Sequence, residues 1–148
     1  MDEVDKALLE FSKEAERLTI RMLSYLGEMC VNEARDRSQE SSWFDQSGNL
    51  RSSIGYVIVA NGNITQISNF NKVKEGSDGV KTGKDLALEL AKKFSSGYAL
   101  IVVAGMNYAE RVEALDNKVV LASAELLANK KLPEMTRKLR MQIARIPI

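Results

Sequence analysis

Apolar residues recur along the first quarter of the chain at alternating steps of four and three: Val4, Leu8, Phe11, Ala15, Leu18, Met22, Tyr25 and Met29. This heptad stripe predicts one long helix from Asp5 to about Arg37. At about 1.5 Å per residue it would be roughly 50 Å long, more than a compact domain of this size requires. Its two halves differ in pattern. Up to Thr19 the positions off the stripe are mostly charged, Leu9 excepted, whereas from Ile20 onward Leu23, Leu26, Cys30 and Val31 widen the apolar surface. The second half is expected inside the domain and the first half is expected to project, with a seam for a partner; the alternative is that the whole stripe packs on its own chain.

The pattern then changes period. Ser38 to Asn49 reads as a polar linker carrying Trp43 and Phe44, which serve either as interface anchors or as a lid on the sheet. Tyr56-Val57-Ile58-Val59-Ala60, then Asn61-Gly62, then Ile64 to Phe70 predicts a β-hairpin, because a type I′ turn needs positive φ at both central residues. A two-residue loop would pair Val59 with Ile64, Ile58 with Thr65 and Tyr56 with Ile67. The more polar returning strand would be the edge. After a loop from Asn71 to Lys81, Thr82 is read as the cap of a short helix whose apolar face is Leu86, Ala87, Leu90, Ala91 and Phe94. Tyr98 to Gly105 is the longest uncharged apolar run, rich in β-branched residues, and is expected to be a central strand covered on both faces. A last helix from about Ala122 to Ala144 keeps the stripe Leu121, Ala124, Ala128, Leu132, Met135, Leu139, Ile143 and Ile146 in phase across Pro133, which favours a kink over a break. The fold class is α+β: a long N-terminal helix, a small antiparallel or mixed sheet with an Asn-Gly hairpin, and a kinked C-terminal helix. A length of 148 residues with 45% hydrophobic composition suits a single domain over 1–148.

Composition narrows the chemistry. The chain has no histidine and one cysteine, Cys30, so histidine-based triads, histidine general bases and histidine or all-cysteine zinc sites have no side chains to use. Neither an enzyme site nor a cofactor signature is read. Gly79-Val80-Lys81-Thr82-Gly83-Lys84-Asp85 resembles a phosphate loop only in outline, with one residue too few between the glycines and Asp85 where a magnesium-binding hydroxyl belongs. The acidic opening Met1-Asp2-Glu3-Val4-Asp5 lacks the basic-then-apolar pattern of a secretory signal, and no run is long enough to span a membrane, so synthesis in the cytoplasm is expected. The formal net charge is +1, yet charge is unevenly placed. Residues 129–148 carry Lys130, Lys131, Arg137, Lys138, Arg140 and Arg145 against Glu134 alone, while acids outnumber bases in residues 1–37. The basic end touches nucleic-acid phosphates, is a solvated helix face, or pairs with an acidic helix of a neighbour.

Two segments carry a resemblance. Ser47-Gly48-Asn49-Leu50-Arg51-Ser52-Ser53-Ile54 is similar to the "Thr-Gly-x-Leu-Arg-x-Ser-Ile" lead-in to the hairpin of the tail-completion, or head–tail joining, proteins of long-tailed bacteriophages. Tyr108-Ala109-Glu110-Arg111-Val112-Glu113 is similar to that family's "Tyr-Ala-x-Tyr-Val-Glu". The order of elements fits as well, with residues 71–97 inserting a helix that the compact members lack. Ser47, Arg111 and Ala114 depart from the usual threonine, aromatic and glycine. The resemblance implies a non-enzymatic virion protein made in the bacterial cytoplasm. It would form a ring with itself, a hexamer in preference to a dodecamer, between the capsid connector and the tail-tube protein. DNA would be only the passing genome, with no membrane partner. Leu8, Phe11, Trp43, Phe44, Arg51, Arg111 and Glu113 are the expected subunit contacts. The alternative reading is a cytoplasmic nucleic-acid-associated adaptor that uses the basic C-terminal helix.

Overall fold

The computed structural model describes residues 2–40, 49–105 and 121–147. Among the described residues four helices and three strands follow in the order α1 (Glu3–Glu40), α2 (Asn49–Ser52), β1 (Ile54–Ala60), β2 (Asn63–Ile67), α3 (Ser77–Ala91), β3 (Tyr98–Ala104) and α4 (Ala122–Ala144). The sheet has the order β2-β1-β3 and both pairings are antiparallel, so the α+β class and the long N-terminal helix are as the pattern predicts.

Every residue of β1 is buried, and its period of two divides the interior into two cores. Ile54, Tyr56 and Ile58 pack with Leu23, Leu26, Cys30, Val31 and Ala34 of α1 and Ala124 of α4. Val57 and Val59 pack on the other side with Phe70, Val103 and the small face of α3, Ala87 and Ala91. The molecule is therefore layered: α1 and α4, then the sheet, then α3.

The expectation that Tyr98 to Gly105 is the central strand is corrected. β1 has two neighbours, and β3 pairs with β1 alone among the described strands. Only Val103 of β3 is fully buried. The two runs have nearly the same apolar content. The Asn-Gly turn binds β2 to one side of β1, which leaves the other side for β3.

The turn is as expected, with φ of 50° at Asn61 and 85° at Gly62. The register beyond it is not. Val59 faces Ile64, but Ile58 faces Gln66 and Val57 faces Ile67, because Thr65 is an extra residue in β2. The pairings of Ile58 with Thr65 and Tyr56 with Ile67 are thus overturned by a β-bulge. Ser68 holds the shifted register: its N–H donates to the Tyr56 carbonyl at 2.9 Å, and its hydroxyl accepts from the Tyr56 N–H at 2.8 Å. A one-residue slip exchanges the faces of a strand. Here it turns Gln66 to the α1 side of the sheet.

Helix α3 starts at Ser77, five residues before the expected Thr82 cap, and no side chain caps it. Gly79 and Gly83 lie on its buried face, one turn apart. A Cβ at Gly83 would stand 2.5 Å from the Ser53 carbonyl oxygen, so the bare Cα lets the helix lie on the backbone leading into β1. The same segment is helical throughout and cannot wrap a phosphate as a loop. Phe94 falls beyond the helix and is exposed.

On α1, Asp2 caps the first turn by accepting from the Asp5 N–H at 2.8 Å. The deepest face of its second half is Leu23, Leu26, Cys30, Val31 and Ala34, displaced by one residue from the heptad stripe. Met22 and Met29 flank that face, while Tyr25 remains 64% exposed. Gly27 sits between, where a Cβ would stand 2.9 Å from the Tyr56 ring. Helix α4 runs through Pro133 with Ala124 and Leu139 buried and Leu132 exposed.

Candidate assembly surface

Helices α1 and α4 lie antiparallel, and three points along them fix where cover ends. The Cys30 thiol donates to the Ala124 carbonyl at 3.6 Å near the start of α4. Leu18 and Met22 meet Met135 and Leu139 around a common cavity further along. Ile146 and Pro147 line a small pocket together with Glu14 at the far end. N-terminal to Glu14, residues 3–13 carry α1 on for roughly 16 Å with most of their side chains exposed. Along this stretch Val4 is 66% exposed and Leu8 53% exposed, with Leu9 also exposed and Phe11 half-buried. At its root Glu14 accepts two bonds from the Arg17 guanidinium, at 2.6 and 2.9 Å. That bonding holds the Glu14 carboxyl below its ordinary pKa and raises that of Arg17.

Between α1, α4 and the sheet lies an open groove of about 570 Å³. Leu18, Met22, Met135 and Leu139 supply its apolar wall, and Arg21, Glu28 and Lys138 stand among its polar lining. Its polar network is built across three elements. The Ser24 hydroxyl donates to Gln66 Oε1 at 2.8 Å, and Gln66 Nε2 donates to the Tyr56 hydroxyl oxygen at 2.9 Å. Burial, and then the nearby Glu28 carboxylate, push the Tyr56 phenol above its ordinary pKa, so it stays protonated and neutral. An apolar trough with a few oriented polar groups is suited to receiving an amphipathic segment.

The expected contact residues do not converge on one place. Leu8 and Phe11 lie on the bare end of α1. Arg51 stands in the last turn of α2, half-buried, and its carbonyl accepts from Arg35 Nε at 3.2 Å. Arg35 also donates to the Asn71 carbonyl, tying α2 and the segment after β2 to α1. Burial, and secondarily Arg51, lower the Arg35 pKa. Along the helix, Leu8 and Arg35 are roughly 40 Å apart, so Arg51 belongs to a different region from Leu8. Trp43, Phe44, Arg111 and Glu113 lie outside the described residues. Sequence reasoning missed the groove. Met22, Tyr25, Met135 and Leu139 were visible in two separate stripes, but Gln66 enters only through the bulge.

Among the described residues no cluster of three acidic, cysteine or histidine side chains could hold a metal ion, and no helix is long and apolar enough to cross a membrane. Comparison with protein-family profiles, curated proteins and solved structures finds no match to this chain.

Proposed function

We propose that this chain is a structural subunit of a phage or prophage neck, forming a ring that joins the capsid connector to the tail tube. The observation that carries this reading is the first turns of α1: an amphipathic helix on which Val4, Leu8 and Leu9 stay exposed. Exposed apolar side chains set at helical spacing are a surface for another protein. The two motif segments add the likeness to head–tail joining proteins, and the described part of the first, from Asn49, leads directly into β1. Acids near one end of the chain and bases along α4 suit a head-to-tail contact, in which two different surfaces meet and the series closes by rotation.

Light scattering on the purified chain, alone and mixed with a tail-tube or connector protein, tests the reading. A closed oligomer, a hexamer by expectation, that binds one of those partners is the expected result. A chain that stays monomeric, ignores both, and binds DNA with an affinity falling steeply with salt would replace it with the nucleic-acid adaptor that uses the basic face of α4.

A further inference from the structure

The groove and the bare helix end have complementary characters, and one chain cannot join its own. Both belong to α1, which is a single helix from Glu3 to Glu40. The bare residues lie further along its axis than the groove, so they reach it only if the helix breaks. A second copy meets no such obstacle. We propose that the groove between α1 and α4 receives the first turns of α1 from a neighbouring copy of the same chain. This inference rests on the ring reading and names the contact that would build the ring.

Three features support that occupant over an unrelated one. Val4, Leu8 and Phe11 are spaced four and three apart, which puts them on one face of a helix as successive anchors. The receiving wall includes Met22 and Met135, whose unbranched side chains adapt to the shape of what they meet. Charge agrees as well. Residues 2–13 carry Asp2, Glu3, Asp5 and Glu10 against Lys6 and Lys13, while the groove carries Arg21 and Lys138 against Glu28. Lys138 is held beside Glu134 on its own helix at 3.3 Å, an exposed pair that a better-placed carboxylate can rearrange. Each copy thus offers one helix end and one groove, a heterologous contact that continues from copy to copy until it closes.

Two exposed positions separate the halves of the contact. Leu8→Asp spoils the helix end and leaves the groove intact; Tyr25→Asp spoils the groove and leaves the helix end intact. Sedimentation velocity should show each variant losing self-association by more than about tenfold, with circular dichroism unchanged. Mixed together, the two should form a one-to-one heterodimer, because each supplies the surface the other lacks. Lys138→Glu, on the exposed side of α4, should weaken assembly in the same direction and serves if Tyr25→Asp misfolds. Wild-type rings accompanied by a Tyr25→Asp variant that still assembles, for instance by pairing two bare helix ends, would overturn this contact and leave the ring reading standing. So would a mixture that stays monomeric. A wild-type chain that neither self-associates nor binds a connector or tail tube would overturn both.

Discussion

Residues 3–13 and residues 18–34 belong to one unbroken helix and share one apolar period, yet their surroundings are opposite. The second stretch lies against β1 and α4, with Leu26, Cys30 and Ala34 almost wholly out of water. The first keeps Val4, Leu8 and Leu9 exposed. The difference comes from where α4 stops alongside Glu14, not from a change in helical periodicity. Periodicity states that a helix has a partner. It does not state whether the partner is in the same chain.

The comparison also shows how a stripe can mislead about orientation. The heptad residues Met22, Tyr25 and Met29 are each followed by the residue that goes deeper, Leu23, Leu26 and Cys30. A shift of one residue is a rotation of about 100° around the helix. The packed half faces a sheet and another helix together, so it buries a broad surface. The bare half offers a narrower strip, which is what a single groove would accept.

The largest expected effect separates the halves directly. Leu26→Ala should cost about 2–5 kcal/mol in urea unfolding, since it opens a cavity between α1 and the sheet. Leu8→Asp should stay within about 0.5 kcal/mol of the parent monomer, as an exposed position does. Equal losses would mean that the first half is covered after all.

A smaller effect concerns Gly27. Alanine gains about 1 kcal/mol of helix propensity there, but its methyl would press on the Tyr56 ring, and overpacking of that kind costs about 1–3 kcal/mol. Gly27→Ala should therefore lower stability, whereas Ser12→Ala in the bare half should raise it slightly. A stabilised Gly27→Ala protein would show that the ring moves aside freely.

The Tyr56 phenol should register in alkali. Its pKa is raised in the fold, so its contribution is fully present at neutral pH and declines as pH passes the ordinary phenol value of about 10, where the unfolded chain ionises first. Tyr56→Phe should flatten the fall in the unfolding midpoint above about pH 9. Burial of the Cys30 thiol acts in the same sense from lower pH and remains in the variant. Identical alkaline limbs would remove Tyr56 as a cause.

The smallest effect lies at the root of the bare half. Arg17→Gln should leave thermal stability unmoved, because the Glu14–Arg17 pair is exposed, while the Glu14 carboxyl titrates at a higher pH than in the parent. Carboxyl chemical shifts followed by NMR report this. An unchanged titration would show that the pair does not persist in solution.

The sequence by itself determined the elements whose signals are local. Heptad spacing marked α1, Asn61-Gly62 marked the turn, and the apolar stripe through Pro133 marked α4, since each depends on residues within a turn or two. The charges beside Leu8 also pointed to the half of α1 whose apolar residues Val4, Leu8 and Leu9 are exposed. Only the tertiary structure decided which apolar run became the central strand, because Ile54–Ala60 and Tyr98–Ala104 read alike until β2 occupies one edge. It decided the early start of α3 as well: Gly79 and Gly83 weaken a helix locally, and Gly83 helps it only once Ser53 lies against it. The groove was the least legible feature. It needs the antiparallel pairing of α1 with α4, and it needs Thr65 left out of register so that Gln66 meets Tyr56. Those are contacts between residues far apart in the chain, and no local pattern encodes the meeting of distant surfaces.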